Sequence, residues 1–260
     1  MPVEIESSVG RKMRPRTFLE MQPYIVAYGA GISLFSPLAS VYQLCRLNPQ
    51  VAASNSRMVT LAARVFPIQT LLKTIQMNVS TPVKEHLNPW AAFAVVGVIQ
   101  GGVYGQCNIY FSKQLEISKN LSLAGMFRGV LFAATRDTIS QGVPFMCSGI
   151  VKKNIFEPLL PTAEGDVSQS AEFKRAVKHW GSVLSTSVVS TIASQGVHNC
   201  QITMQANQEL SYMGTLKTIW ERNGVAAFYR GAEARIGLLL AVNILNELLL
   251  KPAWSPVPEE

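Results

Sequence analysis

Arg136 and Asp137 stand side by side within an apolar run, FRGVLFAATRDTISQGVPFMCSGIV, at about 127 to 151. Arg64 lies inside a second run, RMVTLAARVFPIQTLLKTIQMNV, at about 57 to 79. A charge placed there is costly unless it is paired or faces a polar cavity, so in a membrane setting it defaults to a functional group with a named partner. Two roles satisfy that rule: contact with a small anionic or zwitterionic solute, or structural pairing that lines a cavity. Catalysis is not expected. His86 reads as part of a turn, His179 as lying near a helix start, and His198 as lying in an apolar stretch. None of them belongs to a Ser-His-Asp order, a carboxylate pair or a metal-ligand spacing, and no Walker or Rossmann glycine loop is present. The four cysteines, Cys45, Cys107, Cys147 and Cys200, include no C-x-x-C and no His at zinc-finger spacing. They read as small buried hydrophobes. No enzyme activity, metal or cofactor is expected, although a bound lipid such as cardiolipin is compatible with the sequence.

The elements that must position these charges are long apolar segments. Mean hydropathy is +0.19, hydrophobic content is 48% and charged content 15%, against roughly 25% charged in soluble globular domains. Six segments stand out, at about 24–46, 57–79, 89–111, 127–151, 176–205 and 228–250. Each is long enough to cross a bilayer as a helix of about 20 residues. Each also carries Gly, Ser, Thr, Gln or a charge, which suits helices around a shared polar interior. Gly97, Gly101 and Gly105 form a four-residue stripe that lets two helix backbones approach closely. The net charge of +7 is scattered and follows no nucleic-acid reader motif. The expected partner is therefore membrane lipid and not nucleic acid.

The connections are polar. Residues 1–22 read as a polar leader, 80–88 as a short turn and 157–172 as a loop. Between 206 and 227, MGTLKTIWER reads as a short amphipathic helix with Leu216, Ile219 and Trp220 on one side, stopped at Asn223-Gly224. An even number of spans puts both termini on one side of the membrane.

The segments alternate in kind. The odd ones end in PLASVYQLCR from Pro37, GQCNIYFSKQ from Gly105 and GVHNCQITMQ from Gly196, so a helix-bending residue opens each. Tyr42, Tyr110 and Gln201 follow five residues on, and Arg46, Gln114 and Gln205 nine residues on. Among the even ones, Phe127-Arg128-Gly129 and Tyr229-Arg230-Gly231 open the fourth and sixth, and Arg64-Val65-Phe66-Pro67 holds the matching place in the second.

This layout resembles the mitochondrial carrier family, whose three repeats are helix pairs. The odd helices of that family end in Pro-x-acid-x-x-base, and its even helices follow an aromatic-base-Gly step. N-G-x-x-x-x-Y-R-G, Asn223 to Gly231, is the fullest match, and the similarity spans about residues 23 to 251. The resemblance implies an all-α membrane protein of six transmembrane helices in three pseudo-symmetric pairs around a central cavity. The repeats would be 23–84, 85–160 and 161–251, with a tail at 252–260. It also implies substrate contact seven residues after the repeat glycine, where Arg136 stands, with Arg64 at the corresponding place on the second helix and Leu238 on the sixth. Arg235 is expected near the helix start.

The chain departs from the family at its gates. The acid positions are Ala39, Cys107 and His198, and the base positions are Tyr42, Tyr110 and Gln201. No ion pair can form there. The expected substitute is a set of hydrogen bonds among Tyr42, Tyr110, Gln201 and the glutamines Gln114 and Gln205. No even helix ends in the family's aromatic-acid-x-x-base, and only the third repeat keeps room for a surface helix. Two readings result. In one, the chain is a transport-degenerate structural or accessory component, expected beside subunits of a larger inner-membrane complex. In the other, it is an active carrier of a small anionic or zwitterionic metabolite, such as an amino-acid-like compound or a nucleotide. The resemblance places it in the mitochondrial inner membrane, or secondarily in the outer one.

Overall fold

Polar caps begin most of the helices. In this computed structural model, which describes residues 5–6, 12–51, 53–118, 121–163, 168–254 and 257–258, Thr17 opens helix α1, Phe18–Leu47, with a capping box. Its hydroxyl accepts from the Glu20 backbone N–H, while the Glu20 carboxylate accepts from the Thr17 N–H. Ser54 caps α2, Asn55–His86, and Asn88 caps α3, Pro89–Gln114, with proline at the first helical position. Helix α4, Val130–Val151, instead follows Gly129 at φ 72°. Ser168 caps α5, Gln169–Ala206, and Ser211 caps α6, Tyr212–Phe228, which is broken at Asn223 and Gly224. Helix α7, Ala232–Leu245, follows Gly231 at φ 78°. The two aromatic-Arg-Gly steps thus make one and the same left-handed turn, a conformation open to glycine at little cost. Both α4 and α7 run on through a wider π-type turn, Lys152–Phe156 and Asn246–Leu250, before ending at Leu159 and Trp254.

The described residues form a predominantly helical fold with seven principal helices. Each helix packs on the next from α1 to α5, then α5 on α7 and α7 back on α1, which closes a ring of six. The seventh, α6, lies against α5 outside the ring. Three short strands, β1 (Ile5–Glu6), β2 (Lys12–Arg14) and β3 (Val257–Pro258), pair antiparallel in the order β1-β2-β3. Met13 faces Pro258, so the two ends of the chain meet.

The polarity of the ring is inverted relative to a water-soluble bundle. On α2, Ile68, Leu71, Ile75 and Val79 are exposed, while Gln69, Lys73, Gln76 and Ser80 are buried. On α5, Val189 and Ile192 are exposed, while Ser187, Ser190, Thr191, Ser194 and Gln195 are buried. Among the described residues, one helix, α1, is long and apolar enough by length and composition to cross a membrane. Stripes of buried polar residues lower the average hydropathy of α2 and α5, and α7 is shorter than a full span.

Several boundaries differ from those expected. Helix α1 begins within the predicted leader, because the capping box at Thr17 starts it early. The predicted turn at 80–88 is mostly the last part of α2, which carries Pro82 inside it; only Leu87 and Asn88 connect it to α3. The predicted loop at 157–172 is helical at both ends, and its residues 164–167 lie outside the described set, as does much of the leader and tail. Helices α1, α3 and α5 run unbroken through Pro37, Gly105 and Gly196. The glycine stripe acts as a contact face for α4. A Cβ on Gly101 would stand 2.6 Å from the Ala133 Cβ, one on Gly97 3.0 Å from the Ala133 carbonyl oxygen, and one on Gly105 would collide with the Met126 carbonyl. Gly101→Leu is accordingly expected to destabilise the purified protein by about 1–3 kcal/mol. Gly149→Ala meets nothing within 4 Å and should leave the thermal midpoint unchanged or slightly raised.

Candidate binding cavity and its closed end

A cavity of about 280 Å³ lies inside the ring, and all six ring helices line it. Three basic side chains reach it: Lys73 from α2, Arg136 from α4 and Arg235 from α7. Each comes from the second helix of a pair, and each is buried, at 4%, 2% and 7% exposure. Asp137 is the carboxylate among the lining residues. Formally, three positive charges face one negative.

Arg136 is held by three side chains. Its Nε donates to Asp137 Oδ1, and its Nη1 donates to Gln201 Oε1 at 2.8 Å and approaches His198 Nδ1 at 3.4 Å. Arg136 and Asp137 are both buried, at 2% exposure each, and their adjacent places on α4 put the two charges within reach of each other. Arg136 Nη2 and Asp137 Oδ2 have no hydrogen-bond partner among the described residues. Lys73 Nζ donates to Gln76 Oε1 at 2.9 Å and lies 4.3 Å from the Tyr104 ring centroid. Arg136 lies 5.6 Å from the same ring, so one aromatic face serves two cations. Arg235 Nη1 donates to the Thr191 carbonyl at 3.4 Å. Neither Lys73 nor Arg235 has a carboxylate among these hydrogen-bond partners.

A chain of uncharged hydrogen bonds leads from Arg136 to the end of the cavity where α1, α3 and α5 converge. Arginine can only donate, so His198 Nδ1 accepts and Nε2 carries the proton, which it donates to Gln43 Oε1 at 3.0 Å. Gln43 Nε2 donates to Asn199 Oδ1 at 2.7 Å, and Asn199 Nδ2 donates to the Phe228 and Arg230 carbonyls. On the other side, Asn108 Nδ2 donates to Gln205 Oε1 at 2.7 Å, and Gln205 Nε2 donates to the Gly101 and Met126 carbonyls. Beyond these amides lies an apolar cluster that includes Val41, Leu44, Cys107, Phe111 and Ile202. The buried contacts that close this end are therefore amide, imidazole and hydrocarbon. The nearby Arg46–Glu233 ion pair, at 3.4 Å, is solvent-exposed on the rim.

The sequence-derived site residues separate into groups. Arg136 and Asp137 are together in the cavity, and His198 and Gln201 are gathered around Arg136. Arg64 is not with them. It is exposed and lines a surface recess with Arg57 and Gln114, because it lies on the outward face of α2, whose buried face carries Gln69 and Lys73. Tyr42 and Tyr110 do not bond to Gln201 as expected. Tyr42 donates to Glu233 at the rim, and Tyr110 packs against the apolar cluster. Cys107 is buried in that cluster, and Ala39 lines the cavity wall. Arg235, expected near the helix start, is a cavity residue, since one turn into α7 already faces inward.

Lys73, Gln43 and Asn199 were not singled out from the sequence. A signal for Lys73 was present: Gln69, Lys73, Gln76 and Ser80 recur at spacings of four, three and four in an otherwise apolar segment, marking a buried polar stripe. Gln43 and Asn199 carry no such pattern. No family model matches the chain, and no curated protein matches it.

Removing one member of the buried pair should be worse than removing both. Arg136→Met, which strands Asp137, is expected to cost about 3–5 kcal/mol in thermal unfolding, and Arg136→Met with Asp137→Leu clearly less. Asn199→Ala, which strands Gln43 Nε2 and the Phe228 carbonyl, should cost about 1–3 kcal/mol.

Proposed function

We propose that this chain is an integral membrane protein that crosses the bilayer six times in three helix pairs, as mitochondrial carriers do, and that its central cavity binds a small anionic or zwitterionic solute. One observation carries the reading: three buried basic side chains, one from each helix pair, surround a single carboxylate. Uncompensated buried charge is costly, and an anion bound among Lys73, Arg136 and Arg235 offsets that cost. The membrane setting rests on the exposed leucines, isoleucines and valines outside the ring and the amides and hydroxyls within it. The proposed location is the mitochondrial inner membrane.

A second reading concerns turnover. Buried neutral groups close the converging end, where the carrier family uses ion pairs. A transport cycle needs two states of comparable energy, each with its own stabilising contacts. The uncharged closure favours a chain that binds without cycling and serves as an accessory component of an inner-membrane assembly.

Reconstitution into liposomes separates the two. The protein would be tested with radiolabelled amino acids, nucleotides and carboxylates, for equilibrium binding and for uptake. Saturable binding lost in Arg235→Gln is expected. Uptake accompanying that binding supports the carrier reading, and binding without uptake, with co-purification in a larger complex, supports the accessory one. Absence of saturable binding to any of these anions would overturn the cavity assignment.

A further inference from the structure

The three cations of the cavity are not equivalent. Arg136 is neutralised in place, because its Nε donates to the Asp137 carboxylate on the same helix. Among the described residues, Lys73 and Arg235 form no ion pair: Lys73 Nζ donates to the Gln76 amide, and Arg235 Nη1 donates to the Thr191 carbonyl. Lys73 Nζ also lies 4.3 Å from the Tyr104 ring centroid, a contact that stabilises an ammonium and not a neutral amine. Arginine stays charged in a protein. Two uncompensated positive charges therefore remain inside the ring, and their surroundings are separate. Lys73 stands on α2, among Gln76 and, from α3, Tyr104, whereas Arg235 stands on α7, beside Thr191 of α5. Helices α2 and α7 pack on α1 as its two neighbours in the ring. Ile32 of α1 and Leu238, Leu239 and Val242 of α7 line the same cavity and offer uncharged wall to whatever joins two charged ends.

We infer that the cavity selects a dianion with two separated negative groups, a dicarboxylate, over a monoanion of the same size, and that Lys73 sets this selection. The inference rests on the proposed anion-binding role of the cavity and specifies its substrate class. Lys73, Arg136 and Arg235 against the Asp137 carboxylate leave a formal charge of three minus one, or +2, among these lining side chains, and a dianion brings it to zero. One carboxylate meets Arg235 and the other meets Lys73, while Asp137 stays with Arg136. A monoanion of the same shape leaves one of the two cations uncompensated in a buried site, where an unpaired charge is costly. A compact dianion such as sulfate concentrates its charge at one place and matches two separate cations less well.

The test uses the full chain in phosphatidylcholine nanodiscs near neutral pH. Equilibrium binding of radiolabelled malonate, succinate, glutarate and adipate is measured beside the monoamide of each, which keeps the size and loses one charge, and beside sulfate. At least one dicarboxylate is expected to bind saturably, and about tenfold or more tightly than its own monoamide and than sulfate, the effect of one hydrogen bond to a charged group. Lys73→Gln should bring the ratio of dicarboxylate to monoamide affinity close to one. Lys73→Arg keeps the charge and should keep the preference. A lysine with a structural role alone would weaken both ligands alike and leave the ratio as it was. Equal affinity for every dicarboxylate and its monoamide, sulfate binding as tightly as any dicarboxylate, or a ratio unchanged in Lys73→Gln would overturn this inference and leave the cavity assignment standing. The comparison in the unsubstituted protein decides by itself if Lys73→Gln folds poorly. Saturable binding by none of these anions would overturn both.

Discussion

The ring is organised around the cost of a guanidinium without water. Arg136 is 2% exposed, and its charge must be met inside the protein. Asp137 supplies the countercharge from the adjacent position, and Gln201 and His198 supply acceptors from α5. Those contacts demand that α4 and α5 approach closely along their polar faces. The small side chains of α5 permit that approach, and Ser190 Oγ donates to the Ser140 carbonyl across the gap. Once polar faces are drawn inward, the apolar faces must point outward, and the inverted polarity of the whole ring results.

The same constraint shapes the converging end. Gln43, Asn199, Asn108 and Gln205 are each at most 2% exposed, and an amide buried without partners costs more than a bonded one returns. They meet this by bonding to one another and to backbone carbonyls that no helix satisfies, at Phe228, Arg230 and Met126. The carbonyls of Phe228 and Arg230 belong to the junction of α6 and α7, that of Met126 to the approach to α4. The amides therefore fix two connections as well as close the end. A neutral network of this kind is held by geometry, whereas an ion-pair ring is held by charge. Its separation would expose several unsatisfied groups at once.

The two glycine turns do related work at the backbone. Gly129 and Gly231 start the second helix of two pairs with the same left-handed geometry, which sets how α4 and α7 enter the ring. Arg128 and Arg230 precede them and take different roles: Arg128 donates to the Leu210 carbonyl, while the carbonyl of Arg230 receives Asn199 and Gln195. Helix α6, broken at Asn223-Gly224, carries the buried Ile219 against the side of α5.

By itself, the sequence determined the helical class, the six long segments of the ring, the aromatic-Arg-Gly starts of α4 and α7, the glycine face of α3, and the cavity position of Arg136 with Asp137. These are local in origin: capping residues, period and breakers act over a few residues, and an adjacent Arg-Asp pair in an apolar run has few ways to be satisfied. Tertiary structure alone decided which face of each helix turned inward. It sent Arg64 outward and Lys73 inward on one helix, brought Arg235 to the cavity, turned Tyr42 to Glu233, and joined Gln43 to Asn199 across 156 positions of chain. Those outcomes depend on helix rotation within the ring. A rotation is fixed only when all the neighbours are in place, because it is the sum of their contacts that selects the face.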